Sequence, residues 1–187
     1  MAAPLHCDCP GSPRLQPREL LPGLFAQACP DCGALSLELE DYRRWLAGRQ
    51  AGPAPTPEQW IGTPVAEHLG TRQVRLCAAC GRPMGRYRAG THPDFHLDRC
   101  APCQRLVLDG GEWEALAQLG AAEHLELILS EPWQRRLQAL EAGARRRQAL
   151  RQRLGDASVD ELLRIQAWLQ DHPQRRELLA LLNGDPI

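Results

Sequence analysis

Apolar positions change their spacing three times along the chain. In "RLQPRELLPGLFAQA", residues 14 to 28, short apolar patches are interrupted by Pro17 and Pro22. This predicts a small hairpin whose strands are short or lie at an edge. After Cys32, "LSLELEDYRRWL" runs into a short predicted helix. In "PMGRYRAGTHPDFHLDR" the turn residues of "RAGTHPD" separate two further short strands. From about Gly111 the period becomes helical, with Trp113, Leu116 and Ala117, then Leu125, Ile128 and Leu129, at three- and four-residue spacing.

The rest of the chain reads as helix. Ser130 and Pro132 open a helix over 132 to 154, and Gly155 ends it. Its apolar stripe is Leu137, Leu140, Ala144, Leu150 and Leu154, which an amphipathic helix ordinarily buries. Ser158 and Glu161 have capping-box spacing ahead of Val159, Leu162, Ile165, Ala167 and Leu169, and that helix should stop near Asp171. Pro173 starts a last short helix with Leu178, Leu179, Leu181 and Leu182, closed by Asn183 and Gly184.

The two hairpin regions repeat one another. Cys29, Cys32, Leu35, Leu37, Glu38, Asp41 and Tyr42 fall onto Cys100, Cys103, Leu106, Leu108, Asp109, Glu112 and Trp113 at a constant offset of 71. This organises the chain into a first repeat at 1–47, a Pro-rich linker at 48–70, a second repeat at 71–119 and a helical domain at 120–187. In the linker, Trp60 and Ile61 suggest that part of it docks. The predicted class is α+β, with two small hairpin units, each followed by a helix, and a C-terminal α-helical domain.

Composition changes this picture only where it touches stability and partners. Hydrophobic residues are 43% of the chain but aromatics only 5%. Small units without a large aromatic core need another source of stability. The formal net charge of -1 gives no global attraction to nucleic acid or membrane. With no long apolar run and no charged-then-apolar leader, the reading is a cytoplasmic protein without a membrane partner. In that reducing compartment, eight cysteines clustered in pairs point to metal or redox chemistry, not disulfides.

The spacing favours metal. Cys77-x2-Cys80 and Cys100-x2-Cys103 are separated by 19 residues, and a hairpin that brings the two turns together presents four thiolates tetrahedrally. A thioredoxin-like dithiol would need a βαβ setting that this pattern lacks. A four-thiolate iron site is the alternative metal centre. In the first repeat, Cys9 and Cys29 are again separated by 19 residues, but the leading pair is Cys7-x-Cys9. The offset of 71 places His6, not Cys7, opposite Cys77. The first site is therefore Cys7, Cys9, Cys29 and Cys32, or the same set with His6 replacing Cys7. Thiolate softness favours Cys7 and register favours His6. The cofactor expected is Zn2+, two per chain.

On these residues the chain resembles the bacterial zinc-ribbon proteins related to the TFIIB-type zinc finger. Cys77 and Cys80 match the family's first pair, Cys100 and Cys103 its second, Leu108-Asp109 its Leu-Asp step and Gly111-Glu112 its Gly-Glu step. The first repeat matches through Cys29-Pro30, Cys32-Gly33, Leu37 and Asp41. Gln104-Arg105 stands where Gly-Gly is usual, and Ser36 and Val107 take the family's Trp positions. The resemblance covers roughly 5–45 and 76–118. It implies zinc binding and a ribbon fold, and its name suggests transcription.

Two further features bear on function. The 132–154 helix carries Arg135, Arg136, Arg145, Arg146, Arg147, Arg151 and Arg153 against one acid, Glu141. Such a surface can contact phosphates, or it is a solvated face balanced by neighbouring acids. His68, His92, His96, His124 and His172 have no paired ligand spacing. No nucleophile elbow, zinc-protease helix or phosphate-binding glycine loop is present, and a four-thiolate zinc has no open position for water. The expectation is a non-enzymatic zinc protein that binds nucleic acid or transcription machinery through arginines. The alternative is a protein-interaction or oligomerisation module using the C-terminal helices, with a homo-oligomer as its product.

Overall fold

The computed structural model describes residues 4–61, 74–91 and 93–184. The later part of the linker, with Pro64 and His68, and also His92, lie outside the described residues. Six strands form one antiparallel sheet: β1 (Gln16–Leu21), β2 (Leu24–Ala28), β3 (Leu35–Glu38), β4 (Gly85–Arg88), β5 (His96–Cys100) and β6 (Arg105–Leu108), in the order β1-β2-β3-β6-β5-β4. Each predicted hairpin is present. Pro22 and Gly23 turn β1 into β2, with Gly23 at a φ of 82° that a side chain would strain.

The expected pair of separate ribbons is thus corrected by the β3–β6 pairing, which fuses both repeats into a single sheet. The register carries its own explanation. Ser36 lies opposite Val107, its own repeat mate, and Leu35 and Leu37 lie opposite Leu108 and Leu106. Reciprocal pairs around a self-paired centre are what a two-fold axis produces, so the two repeats associate as a symmetric dimer would. Their alternation makes this favourable, since Leu35, Leu37, Leu106 and Leu108 all reach the same face and are buried. Arg105 adds polar bonds across the seam, donating from Nη1 to Ser36 Oγ at 3.1 Å and pairing with Glu38 through Nη2.

That apolar face is covered by helices. The core joins the four seam leucines to Leu24, Ala26 and Leu97, to Leu39 and Tyr42 of α1 (Leu39–Leu46), and to Trp113 and Leu116 of α2 (Glu112–Gln118). Leu125 and Ile128 of α3 (Leu125–Ile128) also enter it, as do Trp133 and Leu137 from the start of α4 (Glu131–Leu154). Tyr42 ties these layers together: its hydroxyl donates to Ala122 O and accepts from Leu125 N, both at 3.1 Å. Gln134 on α4 exchanges bonds with Arg88, accepting from its N–H at 3.1 Å and donating to its carbonyl at 2.8 Å. The free edge of β4 is thereby protected.

Part of the Pro-rich segment is core as well. Thr56 and Gln59 form a capping box around a short 3-10 helix, Pro57–Trp60. Its Trp60 is buried with its ring 5.0 Å from that of Trp133, whereas Ile61 is exposed. The chain separates into two compact units, Met1–Gln138 and Ala139–Ile187. Residues 120 to 138 therefore share a core with the sheet, a different division from the one placed at 120.

The second unit holds the rest of α4, then α5 (Asp156–Gln170) and α6 (Arg175–Leu182). Ser158 does not cap α5, because the helix starts two residues earlier behind Gly155 at φ 79°. Arg151 draws that start inward by pairing with Asp156 at 3.1 Å and Asp160 at 2.5 Å.

Candidate metal centres

Both cysteine sets converge. Cys7, Cys9, Cys29 and Cys32 form one cluster and Cys77, Cys80, Cys100 and Cys103 another, with all ligand atoms of a cluster within 4.8 Å of one another. All eight thiols are free. Sulfur pairs within the clusters include Cys7–Cys32 at 3.6 Å, Cys9–Cys29 at 3.7 Å and Cys80–Cys100 at 3.6 Å. A metal–sulfur bond of about 2.3 Å in a tetrahedron gives a sulfur–sulfur edge of about 3.8 Å. The residues present therefore fit a four-thiolate metal ion.

Local backbone geometry builds each cluster. Cys7 N–H donates to Pro13 O at 2.9 Å and Cys77 N–H to Arg82 O at 2.8 Å, closing one tight turn in each repeat. In the second type of turn, Gly33 N–H reaches back to Cys29 O at 3.1 Å, as Gly81 N–H does to Cys77 O at 2.8 Å. Both glycines are left-handed, at φ 73° and 68°, which explains Gly after the second cysteine. Gln104 holds that position after Cys103 with φ 49°, anchored by its own Nε2 donating to Ala101 O at 2.6 Å. Leu15 and Ala34 pack against the first cluster, Met84 against the second.

These bonds place Cys7, not His6, at the turn position that Cys77 holds in the second repeat. The matching turns begin at Cys7 and Cys77, each preceded by a bridging residue, His6 opposite Arg14 and Leu76 opposite Pro83. At this cysteine the repeat offset is 70. One residue is missing between Cys7 and Cys9, and the turn from Cys9 to the acceptor Pro13 is longer than that from Cys80 to Arg82, while 19 residues separate the second cysteine from the third in both repeats. The structure brings Cys7 into the cluster, and His6 is outside it.

The electrostatics call for a cation. Burial raises Cys29, yet the N–H groups of Cys32 and Asp31 outweigh it and hold the thiol down to about 7. The N–H of Arg82, with the Cys103 thiol, brings Cys80 to about 7. Burial pushes Cys7 up, and the thiols of Cys80 and Cys100 push Cys103 up to about 12. Within each cluster the thiols thus bear on one another, one held down and others pushed up. Four neighbouring thiolates need a positive ion among them.

An ion-pair bridge that the sequence did not disclose lies between the two metal turns. Arg75 is 9% exposed and pairs with Asp8 at 3.0 Å and Asp109 at 2.6 Å, one acid from each repeat. Beside it Glu112 is 1% exposed and accepts from Asp109 N–H at 2.7 Å. Burial, then the nearby Asp109 and Asp98 charges, raises Glu112 to about 8. Asp109 and Glu112 were visible as motif positions, but Arg75 carried no spacing signal.

The arginines of α4 are not one uniform charge patch. Arg135 pairs with Glu131, Arg136 with Glu58, Arg145 with Glu141, and Arg151 with Asp156 and Asp160. Arg146, Arg147 and Arg153 are exposed and have no ion pair among the described residues. His96 is half-buried on β5, His124 precedes α3 and His172 lies 4.8 Å from the Trp168 ring; none joins a cysteine cluster. No helix among the described residues is long and apolar enough to cross a membrane.

Comparison of the chain with protein-family models, with curated proteins and with solved structures found no match. What the fold and site define is an antiparallel sheet bearing two four-cysteine groups able to hold metal.

Proposed function

We propose that this is a non-enzymatic protein with two structural zinc ions, acting by binding a polyanionic macromolecule, nucleic acid foremost, in the manner of a TFIIB-type zinc-ribbon protein of the transcription machinery. The convergence of all eight cysteines into two groups with near-tetrahedral sulfur spacing carries the reading. Bound zinc cross-links the turns and couples folding to metal. Each set supplies four protein ligands, which leaves no open coordination position at which water would be activated. Zinc is favoured over iron by its closed, redox-silent role in ribbons of this spacing.

Phosphate contact is assigned to Arg146, Arg147 and Arg153, the α4 arginines without a carboxylate partner among the described residues. Arg135, Arg136, Arg145 and Arg151 already spend their charge on acids of this chain. Fluorescence anisotropy with mixed nucleic-acid probes at low salt, followed by a salt titration, tests the assignment. Three phosphate contacts give a log-log salt slope of about -3 on duplex DNA. Charge reversal at Arg146, Arg147 and Arg153 together should abolish that binding. No binding at low salt removes nucleic acid as the partner and leaves the zinc reading to metal analysis.

A further inference from the structure

The second compact unit exposes more of its apolar side chains than it covers. Between Ala139 and the end of α6, only Val159 and Leu169 are buried apolar residues among those described. Leu154, Leu162, Trp168, Leu179, Leu181 and Leu182 are all exposed, Trp168 by 55% and Leu182 by 67%. A unit of this size that buries so little lacks the core it needs to hold three helices alone.

The exposed residues are not scattered. On α5, Leu162, Ile165 and Trp168 recur every three residues; on α6, Leu178, Leu181 and Leu182 follow three- and four-residue spacing. Ile165, Trp168, Leu178, Leu181 and Leu182 line one groove of about 540 Å³. Among the described residues lining it, Arg164 is the one charged side chain, and its Nη2 is held by Glu161 at 2.6 Å. An apolar groove does not suit nucleic acid or an acidic peptide. It suits a surface of its own kind.

We propose that a second copy of this chain docks on this α5–α6 face, so that the protein forms a symmetric dimer through its C-terminal helical unit. A two-fold interface must be self-complementary, presenting both a recess and the side chains that fill one. Here the groove and the projecting Trp168 and Leu182 occupy the same face. The exposed side chains offer roughly 500 Å² per copy, so two copies bury roughly 1,000 Å², the area at which a specific interface begins. Two helices from each copy then pack as a four-helix arrangement. An interface near that lower limit associates in the micromolar range. This inference does not depend on the nucleic-acid reading and uses none of its arginines.

Sedimentation equilibrium of the full, zinc-loaded chain from about 1 µM to about 100 µM tests it. The expected result is a mass rising toward twice that of one chain. Trp168→Glu and Leu182→Glu should each weaken association at least ~10-fold by placing a charge in the apolar interface. Both positions are solvent-exposed, so helical circular dichroism and zinc content should stay those of the parent protein. Arg146→Glu should dimerise normally. A single-chain mass across the whole range overturns the proposal, as does either groove variant that associates like the parent.

Discussion

Replacing Glu112 by Gln is expected to stabilise the protein increasingly as pH rises. The carboxyl group is 1% exposed, and Asp109 and Asp98 add negative potential around it. Its value is raised to about 8, against 4.5 when unhindered. Between those values the folded chain holds a proton that the unfolded chain has released. Stability therefore falls as pH rises through this window, and it levels off only above the folded value. Each unit of difference is worth about 1.4 kcal/mol, so from about pH 6 to about pH 8 the loss is about 2 kcal/mol. Gln keeps the shape and can accept the Asp109 N–H bond, but it does not titrate. Denaturant unfolding of zinc-loaded parent and Glu112→Gln proteins at both pH values measures the effect. Metal and histidine contributions are shared and cancel in the difference. A gap between the two proteins that grows by about 2 kcal/mol supports the argument; an equal gap at both pH values refutes it.

Two other substitutions probe how the sheet is covered. Tyr42→Phe leaves Ala122 O and Leu125 N without their partner and should cost about 1–3 kcal/mol in the same unfolding assay; a loss below about 0.5 kcal/mol would mean that water replaces the hydroxyl. Trp60→Ala should cost about 3–5 kcal/mol, because the ring is buried against Trp133; an unchanged melting curve would make its segment a mere tether.

The features legible in the sequence were those written in local spacing. Paired cysteines, the hairpins between them and the stripe of α2 follow from residues a few positions apart, whereas of the stripe expected on α4 only Leu137 is buried, with Ala144 and Leu154 exposed. What stayed hidden depended on distant partners. The leucines at 35, 37, 106 and 108 were visible, but a strand pattern does not name the strand that it joins, and here each strand joins its own repeat copy. Trp60 sat among prolines, so composition marked its segment as linker although the indole belongs to the core. Leu125 to Leu137 looked like the start of a helical domain, since periodicity shows an apolar face without showing what covers it. His6 rivalled Cys7 because a fixed numerical offset cannot register a shortened cysteine turn, whereas the Cys7–Pro13 backbone bond does.

Metal content bears most directly on the central claim. Protein reconstituted with excess zinc, desalted and analysed by plasma mass spectrometry should carry two zinc ions per chain, one for each four-cysteine cluster. Cys7→Ser and Cys100→Ser should each lose one zinc, and His6→Ala should lose none. Fewer than two ions in the parent protein, or a His6→Ala variant that loses one while Cys7→Ser keeps both, would contradict the account.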